Sequence, residues 1–133
     1  MRGRALAAAA ALALAGCGTE SADLFVVERD GELPGAKLTI VVGDGTSVEC
    51  DGAERPFANA LLLDARQLAA DLEPLLERRT RLPVPTQALL RFRVFNDAGE
   101  VRFADASPRL APELGRVIAL TRSIARDSCG RDR

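Results

Sequence analysis

Leu90-Arg91-Phe92-Arg93-Val94-Phe95, then Asn96-Asp97-Ala98-Gly99, then Val101-Arg102-Phe103 is the stretch that decides the fold. Successive side chains of a strand point to opposite faces. Leu90, Phe92 and Val94 therefore face one way, and Arg91 and Arg93 the other. Asn96 to Gly99 has the chemistry of a hairpin turn, and Val101 and Phe103 return on the apolar face. The clearest strand, Ala88 to Phe95, thus predicts an antiparallel pair with one apolar and one charged side.

Working toward the N-terminus, Leu82-Pro83-Val84-Pro85 reads as an extended, polyproline-type link. Asn59 to Glu73 has helical spacing, with Leu61, Ala65, Leu68 and Leu72 on one stripe. Pro74 lacks an N–H and clashes with the carbonyl of Ala70, so the helix is expected to stop near Leu72 or to restart at Pro74. Further upstream, Leu24 to Arg29 and Lys37 to Val42 read as strands, the second with Leu38, Ile40 and Val42 on one face. Asp30-Gly31 and Pro34-Gly35 mark turns between them. Thr46 to Cys50 alternates as a third strand or an extension of the second, ended by Asp51-Gly52. Toward the C-terminus, Pro112 opens a last helix with Leu114, Val117, Ile118, Thr121, Ala125 and Cys129 on one stripe. The order β-β-(β)-α-β-β-α predicts an α+β fold: a small, mostly antiparallel sheet with two helices packed on one face.

The first residues read as an address. Arg2 and Arg4 precede an Ala/Leu run from Ala5 to Ala15, long enough for a signal-peptide core and too short to span a bilayer. The run ends in Leu14-Ala15-Gly16-Cys17, which resembles the bacterial lipobox. That resemblance implies that the Cys17 thiol receives diacylglycerol and becomes the new N-terminus. The alternative is an ordinary secretory signal with a chance cysteine. The expected organisation is a signal peptide over residues 1–16, a lipidated Cys17 with a tether to residue 22, and one domain over residues 23–133. Two acyl chains anchor stably where one does not. The expected location is the extracytoplasmic face of the cell membrane.

With Cys17 assigned to lipid, Cys50 and Cys129 remain as a pair. An oxidising compartment makes a disulfide the default, and closing so long a loop contributes about 4 kcal/mol in the chain-entropy picture. The alternative of a redox or metal pair has little support, because the chain has no CxxC and no His.

The 133 residues include 47% hydrophobic and 28% charged side chains, enough apolar content for a core, but no Trp or Tyr. The core must therefore rest on aliphatic residues and five Phe. Removing residues 1–16 takes away Arg2 and Arg4 and no acid, so 16 basic and 19 acidic residues remain, a net charge of −3. Such a balance carries no electrostatic footprint for nucleic acid. Without His there is no Ser-His or Cys-His dyad, and no phosphate-loop, dinucleotide or nucleophile-elbow motif is present. No cofactor, metal or catalytic residue is expected. The acids fall on turns and polar helix faces, where a solvated role is the ordinary one. Gly43-Asp44-Gly45 lacks the further oxygen donors of a calcium loop. The candidate partner-binding residues are Leu33 and Pro34, in a stiff apolar turn, and Arg91 and Arg93, on the charged side of a strand. The Leu82 to Pro85 segment is a further candidate. Each has a structural alternative: connectors packed on their own domain, and a charged face that resists edge aggregation.

Cys17, with Asp23-Leu24-Phe25, Pro34 to Thr39, Cys50, Leu62 to Arg66, Phe92-Arg93-Val94 and Cys129, resembles a group of small actinobacterial lipoproteins of unknown function. More distantly, Arg29-Asp30-Gly31 through Gly35, then Phe92-Arg93-Val94 before a final helix, is similar to emfourin-type protease inhibitors. The order strand, Cys50, Pro56 and Ala-rich helix is loosely similar to secreted subtilisin inhibitors. The chain lacks the second disulfide that braces the reactive loop in that last family, so no inhibitory residue is carried over.

These readings lead to an expected non-enzymatic binding or accessory protein, anchored to the lipid bilayer by its N-terminal acyl chains, with a protein partner at the cell envelope. The alternatives are an inhibitor of secreted proteases and a carboxylate-based hydrolase of envelope polymer.

Overall fold

The structure, a computed structural model, describes residues 23–132. The signal peptide, Cys17 and the tether lie outside the described residues. Six strands form one antiparallel sheet: β1 Asp23–Gly31, β2 Leu38–Gly43, β3 Ser47–Cys50, β4 Ala53–Pro56, β5 Leu90–Asn96 and β6 Gly99–Ala104. Their spatial order is β4-β3-β2-β1-β5-β6. Helix α1, Asn59–Glu77, and helix α2, Pro112–Asp127, pack on each other, and α1 also lies against β1, β5 and β6. The α+β expectation holds.

Alternation decides which face the helices cover. Phe25 and Val27 of β1, Leu38, Ile40 and Val42 of β2, Val48 of β3, Phe92 and Val94 of β5, and Val101 and Phe103 of β6 are all buried. Register aligns them in rows: Val27 pairs with Ile40 and Val94, and Phe92 with Phe103. The Phe92 and Phe103 rings stack with centroids 5.1 Å apart. Leu62, Ala65, Leu68, Leu72 and Leu76 of α1, and Leu114, Val117, Leu120 and Ile124 of α2, close the core from the helical side. The α1 stripe thus begins at Leu62, with the expected Leu61 only half-buried.

Two elements depart from the expectation. Helix α1 runs through Pro74 to Glu77. Ala70 and Pro74 lie on its exposed side, so the carbonyl that the proline leaves without a partner is not in the core. Leu76, fully buried one turn after Leu72, supplies about 1.5–3 kcal/mol of apolar burial against the roughly 3 kcal/mol a helical proline costs. The second departure is β4, where the sequence suggested an end. Asp51 (φ 50°) and Gly52 (φ 84°) both take positive φ, which is the two-residue turn that returns a strand on itself. Cys50 then pairs with Ala53 and Ser47 with Pro56. Gly99 meets a different demand: a Cβ there would lie 2.0 Å from the carbonyl oxygen of Leu76, so the β5–β6 turn sits directly on the end of α1.

Cys50 and Cys129 are bonded, with Cα atoms 5.7 Å apart. The bond ties β3 to the chain just beyond α2, across 79 residues of sequence. Cys129 lies past the helix end rather than on its last turn. Arg131 reinforces the join: it donates to Asp51 Oδ2 (2.6 Å) and to the Lys37 carbonyl (3.2 Å). The expected result for Cys50→Ser and Cys129→Ser, measured by urea unfolding under oxidising conditions, is a loss of about 3 kcal/mol each, with the double variant costing little more. Additive losses would contradict the bond.

Candidate functional site: the open face of the sheet

Among the described residues, no helix covers the other face of the sheet. Cross-strand pairs place its side chains in rows. One row runs Glu54, Glu49, Val41, Val26, Phe95 and Glu100, from β4 to β6. The next holds Thr39, Glu28, Arg93 and Arg102. Val26, Val41 and Phe95 are half-buried by their neighbours.

Arg93 is the centre of the ionic lattice. Its Nε donates to Glu100 Oε2 (2.7 Å) and its Nη1 to Glu28 Oε2 (3.1 Å). Its guanidinium carbon lies 4.2 Å from the centroid of the Phe95 ring, a cation–π contact. Glu100 also accepts from Arg81 and Arg102, each at 3.3 Å. Arg91 pairs with Asp30 at 2.9 Å. Hydrogen bonds to Glu100 and then Glu28 hold Arg93 above its ordinary pKa. The bond from Arg93 holds the Glu100 carboxyl below its own. Exposed pairs of this kind are individually worth little, but planar guanidinium forks fix carboxylates in register.

A groove of about 510 Å³ crosses one end of this face, from Lys37 and Thr39 over Glu28 and Arg93 to Val84. Val84 belongs to the Leu82–Pro85 segment, which is seated on its own domain. Leu82 N–H donates to the Arg102 carbonyl (2.9 Å), Arg102 N–H donates to Thr80 (3.0 Å), and the buried Ser107 hydroxyl donates to the Pro83 carbonyl (2.7 Å). The segment thereby covers the β6 edge. Beyond it, Leu89 is held by Asp105 and by Glu32 N–H. Val84 and Leu89 remain about half exposed (50% and 49%), so the loop between them is both pinned and open to solvent.

The four candidate residues do not converge. Arg91 and Arg93 lie on the open face and on the groove. Leu33 and Pro34 lie in the β1–β2 connection. Leu33 is half-buried beside Leu90 and Ile118, on the helical side, and Pro34 stands exposed near Gly130 and Arg131. Arg29 holds that connection in place. It is buried on the core face, donating from Nε to the Ala36 carbonyl (2.8 Å) and from Nη2 to that of Gly35 (3.2 Å). Burial, then the nearby Arg131, pushes its pKa down. Sequence reasoning did not single out Glu28, Glu100 or Phe95; alternation along β1 and β6 carries part of the signal, and the inter-strand register carries the rest.

Among the described residues, no helix is long and apolar enough to cross a membrane. Compared with known protein families, with curated proteins and with solved structures, the chain matches none.

A carboxylate whose folded pKa is lowered contributes stability above its unfolded value and loses that contribution as pH falls through the folded value. Glu100, with an ordinary value of 4.5, is such a group. In urea unfolding as a function of pH, Glu100→Gln should be less stable than the wild type at pH 7, and the two should converge as pH falls below 4.5. A pH-independent gap would contradict this account.

Proposed function

We propose that the protein is an extracytoplasmic lipoprotein of the cell envelope and a non-enzymatic binding protein, whose open sheet face receives a protein partner. The observation that carries the reading is the composition of that face. A purely solvated face has no use for Val26, Val41 and Phe95 in one line across the three central strands. Apolar groups in the middle with charges around them are the arrangement of a docking surface. Arg93, stacked on Phe95 and fixed by two carboxylates, is the kind of rigid anchor on which binding energy concentrates. The Cys17 lipobox supports the location.

Carboxylate-based hydrolysis requires an acid held above its ordinary range in a cleft. Among the described residues, the carboxyls of Asp71, Glu100 and Asp127 are instead held below their ordinary range, led in each case by a hydrogen bond from an arginine. Protease inhibition is favoured by one feature, the pinned and exposed loop from Val84 to Leu89. A panel of secreted proteases unaffected by the purified chain would remove that reading.

The test uses the full-length chain in its own membranes, with a photo-cross-linking residue at position 26 or 95 and, as control, at the exposed Leu63 on α1. Open-face positions should form protein adducts that Arg93→Ala abolishes, and intact mass should show Cys17 acylated. Adducts only from position 63, or a free thiol at Cys17, would overturn the proposal.

A further inference from the structure

We infer that the groove across the open face takes an acidic, extended peptide, the segment by which the protein partner seats itself. This names the chemistry of the partner proposed above and rests on that reading. The first observation is a set of donors without acceptors. Arg91 and Arg102 both line the groove, and both side chains are half exposed. Each reaches its carboxylate through Nε alone, Arg91 donating to Asp30 and Arg102 to Glu100. Among the described residues, neither guanidinium donates from an Nη atom. Lys37, exposed at the other end of the groove, has no ion pair among the described residues. A guanidinium with both Nη groups open has the fork that takes a carboxylate on two oxygens.

The second observation is the order of charge across the strands. Lys37 leads into β2, Glu28 and Asp30 lie on β1, Arg91 and Arg93 on β5, and Arg102 on β6. In the spatial order β2-β1-β5-β6 the groove therefore reads base, acid, base, base. Arg29 also reaches the groove, but it belongs to the core face and is buried there. Four open-face bases thus meet two acids, in a domain that is acidic as a whole. Two to three strand spacings of about 4.8 Å put Lys37 about 10–14 Å from Arg91 and Arg102. An extended chain covers that distance in three to four residues. Side chains four apart on it share a face, so acids at positions i and i+4 meet the bases at both ends. Hydroxyl or amide donors between them meet Glu28 and Asp30. Those two carboxylates also decide against a phosphate polymer, whose unbroken charge would lie across both.

The third observation is that the walls of the groove are fixed. Glu28, Glu100 and the Phe95 ring hold Arg93 in place. Val84 stands at the β6 end, between two prolines, and the Ser107 hydroxyl ties the preceding Pro83 carbonyl to the domain. A groove that needs no rearrangement costs less to fill. Val84, half exposed, adds an apolar contact that suits a peptide.

The experiment is a nuclear magnetic resonance titration of the full-length chain in zwitterionic detergent, read at backbone N–H and arginine Nε–H signals. The probe is the end-capped peptide Glu-Ser-Ser-Ser-Glu. Gln-Ser-Ser-Ser-Gln and a glycerol phosphate oligomer serve as comparisons. The acidic peptide should give saturable shifts at Thr39, Arg91 and Arg102, with Kd on the order of 1 mM. The glutamine peptide should bind at least about tenfold more weakly. Lys37→Ala, which removes no ion pair and leaves the fold alone, and Arg102→Ala should each weaken the acidic peptide about threefold or more. Arg126→Ala on α2 should leave it unchanged. Equal binding of the two peptides, shifts confined to another surface, or no binding would each overturn the inference. Binding of the glycerol phosphate oligomer in place of the peptide would overturn it as well. If the peptide fails while positions 26 and 95 still cross-link a protein, the inference falls and the docking face stands; loss of those adducts rejects both.

Discussion

Side chains two apart along a strand share a face, and in β1, β2, β5 and β6 that rule divides the molecule into an apolar half and a charged half. Everything else follows from the division. The apolar half, with Ile40, Val27 and Val94 in one row and Phe92 beside Phe103 in the next, requires cover, and α1 and α2 supply it. Among the described residues, both helices lie on the apolar side, and no element packs on the charged half. Arg93 shows the two roles of one strand: its neighbours Phe92 and Val94 are buried in the core, while its own guanidinium lies over Phe95 on the opposite side.

Small domains bury a modest fraction of their surface and often carry a covalent brace. Here the brace joins elements far apart in sequence. The Cys50–Cys129 bond fastens the third strand to the chain just beyond the last helix, and Arg131 adds a polar clamp on Asp51. Asp51 has a second task, accepting from the Thr39 N–H at 2.8 Å, so one turn residue links β2, the β3–β4 turn and the C-terminal tail. The buried Arg29 plays a matching part at the neighbouring connection, where its guanidinium satisfies the Gly35 and Ala36 carbonyls.

What was legible in the sequence was what is local. The hairpin from Leu90 to Phe103 declares itself through alternation and a turn, and the cysteines pair by elimination once Cys17 is assigned to lipid. Helix α1 is readable as far as Leu72, with Leu75 and Leu76 able to continue its apolar surface after a kink; that the helix runs on through Pro74 depends on how deeply Leu76 is buried, which is a tertiary fact. Strand β4 was not readable, because Ala53-Glu54-Arg55-Pro56 has no apolar alternation and is held by the turn before it. The candidate site was half readable for the same reason. Arg91 and Arg93 were placed on the charged side of their strand by period alone. Their partners Asp30, Glu28 and Glu100 follow from strand register, and the Glu54 end of the row through Val26 exists only because β4 does.

The central claim is that Phe92 and Phe95, three residues apart on one strand, belong to opposite sides of the molecule, one buried beneath the helices and one on the open face. Urea unfolding of Phe92→Ala and Phe95→Ala in the same chain tests it directly. The account predicts a loss of about 3–5 kcal/mol for Phe92, which leaves a cavity in the core. It predicts about 1 kcal/mol or less for Phe95, the scale of an exposed cation–π contact. Equal losses, or a larger one at Phe95, would contradict it.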